Sequence, residues 1–275
     1  MKNRKCFIRV GIGGWTYAPW RDNFYPAGLA HAHELEYASR QVTAIEINGT
    51  YYSTQKPATF ARWAAETPDG FLFSVKAPRY STNRRILADA GESVERFIQS
   101  GIAELGEKLG PVLWQLPPTK HCDIADITAF VSLLPNKIDG IKLRHVLDVR
   151  HDSFMIPDFF KLMRKYKIAS VFTDSRDYPS FADFSTDFVY ARLMCSQSEI
   201  KSGYSPESLD TWATRFNKLA VGSSAVDQDV FPRITPQTKQ DVARDVFVFF
   251  INGAKERAPA GAIALLERLC VFWST

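Results

Sequence analysis

Eight short apolar segments recur along the 275-residue chain, and each has the composition of a buried β-strand. They are rich in Val, Ile and Phe, which favour strands over helices. The predicted strands are residues 7–12, 43–48, 71–76, 111–116, 146–150, 169–174, 188–193 and 246–252.

Amphipathic segments with helical spacing separate these strands and predict a helix after nearly every one. Alternating strands and helices indicate right-handed βαβ units and a parallel sheet. Eight such units in about 250 residues are typical of a closed (β/α)8 TIM-type barrel. The predicted helices are residues 31–40, 57–66, 92–109, 124–134, 157–166, 206–219 and 259–269.

The rival architecture is an open doubly wound sheet, but no G-x-G-x-x-G opens a helix after a strand. We therefore interpret residues 1–275 as a single α/β domain, a (β/α)8 barrel of eight parallel strands with outer helices. Residues 221–245 break the alternation and are expected to form a long loop, with a turn of helix at 238–244.

Polar side chains follow the apolar core of the strands at their C-terminal ends. Residues two apart share a face of a strand, so each of these side chains is assigned to the face opposite the helices. Because TIM barrels build active sites at this end, we expect the side chains to converge on one mouth. They are Glu46, Asn48, Lys76, Gln115, Asp148, Arg150, Asp174, Arg192 and Asn252.

The loop after the first strand is unusually aromatic. The segment VGIGGWTYAPW, residues 10–20, leaves an apolar run through two glycines and continues with Trp15, Tyr17 and Trp20. Together with Tyr51, these rings are expected to wall the mouth and to offer flat apolar surface to a ligand. The alternative for each ring is packing against the barrel core.

Composition and charge bound the class of protein. An apolar content of 45% and a charged content of 23% fit a globular chain, and a formal charge of +4 permits a polyanionic partner without requiring one. The N-terminus does not resemble a signal peptide, and no run reaches the ~18 apolar residues of a membrane span. Without paired cysteine spacing, Cys6, Cys122, Cys195 and Cys270 are expected to be reduced thiols in a cytoplasmic protein.

Five segments together resemble the YecE-like family, which is domain of unknown function 72. They are GIGGWTYAPWRDNFYP (11–26), AIEINGTYYSTQKPATFARWAAETPDGFLFSVKAPR (44–79), GPVLWQLPP (110–118), LDVRHDSF (147–154) and VFVFFINGAKERAPAGA (246–262). The resemblance implies a TIM barrel and no known activity. Asp148 and Phe154 stand where the family usually has Glu and Trp, and Met194-Cys195 replaces His-Gly, so the chain resembles a divergent member.

The residues favour an enzyme of hydrolase or lyase type acting on a small polar or anionic compound, such as a sugar phosphate or nucleotide fragment. Glu46 or Asp148 is the expected base, Asp148 and Asp174 the closer pair of acids, and Arg150 and Arg192 the anion-binding groups. Lys76 is expected to clamp an anion, donate a proton or form a Schiff base. His151 is expected either to shuttle protons or to hold loop backbone.

We therefore predict catalytic roles for Glu46, Lys76, Asp148 and His151. The predicted substrate-binding residues are Trp15, Tyr17, Trp20, Asn48, Tyr51, Gln115, Arg150, Asp174, Arg192 and Asn252.

Several alternatives stay open at this point. The balanced charges are also typical of a salt-bridge network that only fixes the barrel. A nucleic-acid-processing, endonuclease-like barrel fits the mild positive charge and the aromatic loop. A non-catalytic ligand-binding module fits the substituted ends of the seventh and eighth strands. No cofactor is predicted because no ligand-spaced motif exists, although oxygens of Glu46, Asp148 and Asp174 would suit Mg²⁺ or Mn²⁺.

Overall fold

Eight parallel strands close into a barrel, as predicted. The structure is a computed structural model that describes residues 7–223, 230–236 and 243–269. The strands are β1 Ile8–Gly13, β2 Ala44–Ile47, β3 Leu72–Lys76, β4 Leu109–Gln115, β5 His145–Asp148, β6 Ala169–Thr173, β7 Phe188–Leu193 and β8 Asp245–Phe250.

Sequential strands are neighbours, and β1 closes the barrel by pairing with both β2 and β8. At Gly11, which pairs with Ala44 and Phe249, the strands approach very closely. A Cβ at this position would meet the Ala44 carbonyl oxygen at 1.9 Å. Glycine is therefore required here for β1 and β2 to pair at this separation.

Apolar side chains form two layers, one inside the barrel and one beneath the helices. Outward-facing residues such as Ile45, Val75 and Trp114 belong to the large cluster shared with the helices. Inward-facing residues fill the barrel interior, so it is a packed core rather than a pore. They are Ala44, Leu113, Val146, Ala169, Val171, Phe188, Tyr190, Phe247 and Phe249.

The predicted faces are confirmed for six strands and wrong for β6 and β8. Val171 and Phe249 were assigned to the helix side, but both lie inside the barrel. Phe172 and Phe250 face the helices instead. Asp174 lies two residues after Phe172, and Asn252 lies two residues after Phe250. Residues two apart share a face of a strand, so the alternation directs both side chains outward and not into the barrel.

The helices largely match the predicted segments. The exception is the predicted helix 92–109. Here the chain forms an α-helix over Gly91–Ile98, Gly101 takes φ 109°, and a 3-10 helix follows over Ile102–Lys108. Within the described residues the α-helices are α1 Glu34–Gln41, α2 Gly49–Tyr52, α3 Pro57–Glu66, α4 Arg79–Thr82, α5 Gly91–Ile98, α6 Ile124–Ser132, α7 Pro157–Tyr166, α8 Pro206–Ala220 and α9 Ala258–Arg268.

Local chemistry explains several of these boundaries. The Asp123 carboxylate accepts hydrogen bonds from the first free N–H groups of α6, and Ser205 caps α8 in the same way. Proline occupies the first turn of α3, α7, α8 and α9, where it lacks only a hydrogen bond that the helix does not make. A small antiparallel hairpin, Lys137–Ile138 with Ile141–Lys142, was not predicted.

Part of the predicted loop 221–245 lies outside the described residues, as does most of the predicted turn at 238–244. Cys122 and Cys195 are free thiols, whereas Cys6 and Cys270 lie outside the described residues. Among the helices of the described residues, none combines the length and apolar character needed to cross a bilayer.

Candidate functional site

Six polar side chains gather at the C-terminal end of the barrel and are called here the mouth cluster. Parallel strands end at the same side, so residues at the strand ends meet there. The charges of Glu46, Asp148, Arg150 and Arg192 all act on Lys76. The mouth cluster consists of Glu46 on β2, Lys76 on β3, Gln115 on β4, Asp148 on β5, Arg150 just after β5 and Arg192 on β7.

Arg192 is the centre of the mouth cluster. Its guanidinium donates to both oxygens of Glu46, from Nε at 3.1 Å and from Nη2 at 3.0 Å. Nη1 donates to Oδ2 of Asp148 at 2.8 Å. Burial alone lowers the pKa of Arg192, but the two carboxylates outweigh it and raise this pKa above its usual value. Arg192 is therefore a fixed, buried cation that bridges two acids.

Both oxygens of Glu46 already accept hydrogen bonds. Besides Arg192, its Oε2 accepts from the Tyr190 hydroxyl at 2.8 Å, and that hydroxyl lies 2.7 Å from the Ser74 hydroxyl. Burial, and then the charge of Glu46, raise the pKa of Tyr190 well above its usual range, so Tyr190 remains a donor. Glu46 is completely buried. Its geometry is that of a carboxylate that holds Arg192 in place.

Asp148 is bonded through one oxygen only. Oδ2 accepts from Nε and Nη2 of Arg150, at 3.2 and 3.0 Å, as well as from Arg192. Gln115 Oε1 accepts from Arg150 Nη2 at 2.8 Å. Within the described part of the chain, Asp148 Oδ1 and Gln115 Nε2 have no hydrogen-bond partner. These two atoms remain available to a bound molecule.

Lys76 is the unpaired cation of the mouth cluster. It is 7% exposed, yet across the described residues its ammonium makes no hydrogen bond or ion pair. Its Nζ lies 4.2 Å from the centroid of the Tyr51 ring. Burial, followed by the charge of Arg192, lowers the pKa of Lys76 to about 8. The Thr50 hydroxyl donates to the Lys76 carbonyl oxygen at 2.7 Å and ties α2 to the end of β3.

Two further cations at this end also contact tyrosine rings. Arg150 lies 4.3 Å from the ring centroid of Tyr178, and Lys255 Nζ lies 4.6 Å from that of Tyr17. Glu46 is the charge that acts on Lys255, which places this lysine near the mouth cluster. Such contacts stabilise a cation modestly without neutralising it. The mouth therefore carries more positive than negative charge.

In the described part of the chain, Asp174 and Asn252 make no hydrogen bond or ion pair with the mouth cluster, although the sequence analysis grouped them with it. Asp174 accepts from the Met194 N–H at 2.6 Å and from the Tyr204 hydroxyl at 2.7 Å, and burial raises its pKa. It therefore braces the loop after β7 and does not pair with Asp148. Asn252 is exposed two residues beyond β8, and its carbonyl accepts from Ser196.

Asn48 and His151 are near the strand ends but do not bond to the charged groups. Asn48 precedes α2, and its amide donates weakly to the Glu46 carbonyl oxygen at 3.4 Å. His151 Nδ1 accepts from the Ser153 N–H at 3.1 Å and lies 2.9 Å from the Ser153 hydroxyl. This is the backbone-holding role that the sequence left open. Its ring centroid lies 3.8 Å from that of His121.

The predicted aromatic wall is only partly present at the mouth. Trp20 is fully buried, and its indole N–H donates to the Lys255 carbonyl oxygen, so it is a core residue and offers no surface to a ligand. Trp15 packs edge-on against Trp63 and the outward-facing Phe73. Tyr17 and Tyr51 remain at the mouth, each against a lysine.

A metal site formed by Glu46, Asp148 and Asp174 does not fit this geometry, because Asp174 is bonded elsewhere. Among the described residues, no group of three or more His, Cys, Asp or Glu side chains is placed to hold a metal ion.

Some residues of the site were missed by sequence reasoning. Tyr190 lies two positions before Arg192, so the same alternation that identified Arg192 was sufficient to include it. Tyr178 follows β6 in an irregular loop and Lys255 opens a three-residue 3-10 helix after β8, and neither segment carries a periodic signal that predicts direction. His121 lies in the loop after β4, and only the fold brings it to His151.

The fold and the mouth cluster define the class: a (β/α)8-barrel protein with a buried, charged cluster at its C-terminal mouth. The family model described as "Protein of unknown function DUF72" matches residues 9–272. The chain belongs to this family, which confirms the resemblance seen in its motifs.

Relatives agree with this assignment over nearly the full chain. The UPF0759 protein YunF of Bacillus subtilis (strain 168) is 23% identical over 297 aligned positions, covering 97% of this chain and 96% of that protein. A DUF72 family protein of Thermotoga maritima MSB8 is similar in structure, with TM-score 0.71, 22% identity, and 96% and 99% of the two chains covered. One of Enterococcus faecalis V583 has TM-score 0.71, 16% identity, and 98% and 97% coverage. These structures share the fold.

Proposed function

We propose that this protein is an enzyme of hydrolase or lyase type that binds a small anionic substrate at the barrel mouth. One observation carries the proposal: both carboxylates of the mouth cluster are already matched by arginines, and among the residues that the structure describes Lys76 has no ion-pair partner. An unpaired buried cation is costly, and an anionic ligand would remove that cost. The substrate's carboxylate or phosphate supplies the missing charge.

The open atoms of the mouth cluster suggest a division of roles. Asp148 is the better candidate for the base, because its Oδ1 is free whereas both oxygens of Glu46 are occupied. Lys76 and Arg150 attract the anionic substrate, and the Gln115 amide orients it. Glu46 and Arg192 hold these groups at fixed positions.

Thermal shift measurements at constant ionic strength test the binding. Inorganic phosphate, pyruvate and ribose 5-phosphate are compared with uncharged ribose. We expect at least one anion to raise the Tm of the wild-type protein, because a ligand that binds only the folded state stabilises it. Lys76→Met should lose this shift, and Lys161→Met, which removes an exposed lysine on α7, should keep it.

For any compound that binds, Asp148→Asn should reduce turnover by at least roughly 100-fold, as expected for loss of a general base. Asp158→Asn, at an exposed acid on α7, serves as the control. Equal shifts from ribose and the anions, or an undiminished shift in Lys76→Met, would contradict the proposal.

A further inference from the structure

The surroundings of Lys76 distinguish it from the two arginines of the mouth cluster as the cation that can lose its proton. Arg192 and Arg150 each have carboxylate partners, and a guanidinium keeps its proton under all ordinary conditions. Lys76 has no such partner in the described residues, and it lies against the Tyr51 ring. When cations are crowded together, the lysine is therefore the group that can give up its proton.

The loss of that proton changes the chemistry of the side chain. A neutral amine is a nucleophile, whereas an ammonium is not, and desolvation next to other cations is a known way to activate a lysine. The pKa of about 8 leaves a substantial neutral fraction near neutral pH. At pH 7 this fraction is roughly 300-fold larger than for a lysine with the ordinary pKa.

We propose that Lys76 is a catalytic nucleophile that forms a Schiff base with an aldehyde or ketone carrying a carboxylate or phosphate. This inference rests on the proposed function and narrows it to a lyase-type reaction on a carbonyl compound. The anionic group draws the substrate to Lys76 and Arg150. Once Lys76 has lost its proton, that group pairs with Arg150, which lies at the rim beneath Tyr178, and the carbonyl carbon faces Lys76.

The step balances with groups that are present. The Lys76 nitrogen attacks the carbonyl carbon and forms a C–N bond. Asp148 Oδ1 accepts a proton from this nitrogen and passes it to the former carbonyl oxygen. A second proton comes from solvent, the oxygen leaves as water, and an iminium cation remains.

The iminium carries the same positive charge as a protonated lysine, so Glu46 and Asp148 stabilise it where it forms. The iminium accepts the electron pair released when a C–C or C–H bond next to it breaks. This bond cleavage is the step that a lyase catalyses. No oxidant, reductant or other reactant is required.

Reductive trapping tests the inference. The whole protein is incubated with pyruvate or glyceraldehyde 3-phosphate and sodium cyanoborohydride, and the adduct is located by peptide mass spectrometry. We expect one adduct per chain, on Lys76, with little labelling elsewhere. Lys76→Arg should lose this adduct, whereas Lys161→Arg should keep it, and circular dichroism verifies that both variants are folded.

The remaining outcomes separate this inference from the proposed function. Labelling spread over exposed lysines, at the same rate in Lys76→Arg, would overturn the Schiff base. If anions still raise the Tm when the Schiff base has been ruled out, the proposed anion-binding site is retained and only the nucleophilic role of Lys76 is rejected. If uncharged glyceraldehyde traps as fast as its phosphate, Lys76 is reactive, but the anionic substrate proposed above is wrong.

Discussion

The three cations of the mouth cluster differ in what they can do with their charge. Arg192 and Arg150 form hydrogen-bonded pairs with carboxylates and stay charged. Lys76 pays the desolvation of burial without a partner, and its pKa falls to about 8 in consequence. Within one cluster, the two arginines are therefore fixed by carboxylates, whereas Lys76 has no hydrogen-bonded counter-charge among the described residues.

This difference predicts a pH-dependent effect of Lys76→Met on stability. The folded-state pKa lies below the ordinary value of 10.5, so the unfolded chain binds more protons between about pH 8 and 10.5. The charged lysine thus destabilises the folded state below about pH 8, by about 3 kcal/mol. That cost fades as the pH rises.

Urea unfolding at pH 7 and pH 9.5 measures the effect. Lys76→Met is expected to be more stable than the wild type at pH 7, with a smaller advantage at pH 9.5. Lys161→Met, at a lysine with 68% of its side chain exposed, should show little change at either pH. A Lys76→Met variant that is less stable than the wild type at pH 7 would show that the ammonium has a partner.

The strands differ in how well the alternation of polar and apolar residues predicts which face points into the barrel. In β2, β3, β4, β5 and β7 a polar residue interrupts the strand's apolar end, and its face is predicted correctly. In β8 every residue from Val246 to Phe250 is apolar, so the alternation contains no information about which face is inside. In β6, Val171 and Phe172 are both buried on opposite faces, and Asp174 lies beyond the last strand residue.

The pairing of β1 with β2 depends on Gly11. In Gly11→Ala the new methyl group would overlap the Ala44 carbonyl oxygen, and backbone cannot move aside as a side chain can. We expect the free energy of unfolding to fall by at least about 3 kcal/mol, at the upper end of overpacking effects. Gly49→Ala is the matched control, because a Cβ there meets no atom within 4 Å.

Chemical denaturation of the two variants provides the measurement. Similar stabilities for Gly11→Ala and Gly49→Ala would mean that β1 and β2 are farther apart than the structure shows.

At the scale of the whole molecule, Arg192 forms ion pairs that connect strands on different sides of the barrel. This side chain on β7 reaches Glu46 on β2 and Asp148 on β5, which are not its neighbours in the sheet. Arg192→Met removes one partner from two buried carboxylates, and such changes typically cost about 3–5 kcal/mol. Arg96→Met, which breaks an exposed pair with Glu92, should cost less than about 1 kcal/mol.

The comparison is made by urea unfolding at pH 7. Equal losses for Arg192→Met and Arg96→Met would mean that the mouth cluster does not stabilise the barrel and that its charges are separately hydrated.

The barrel and the strand-end part of the mouth were predictable because both follow from periodicity. The spacing of the strands predicts the closed sheet. The alternation of side chains along each strand predicts the inward direction of Glu46, Lys76, Gln115, Asp148 and Arg192. Loop residues such as Tyr178 and Lys255 were not predictable, since their direction depends on tertiary contacts. The sequence also could not show that both oxygens of Glu46 accept hydrogen bonds, whereas only one oxygen of Asp148 does so among the described residues.

The bond from Thr50 to the Lys76 carbonyl has a kinetic consequence. It anchors the short helix that carries Tyr51, the ring that covers the amine. A molecule approaching the amine therefore has to turn one phenol ring about its χ angles rather than lift a loop. Loop motions take nanoseconds to microseconds, so access on this side is expected to depend on one side chain and not on a loop motion.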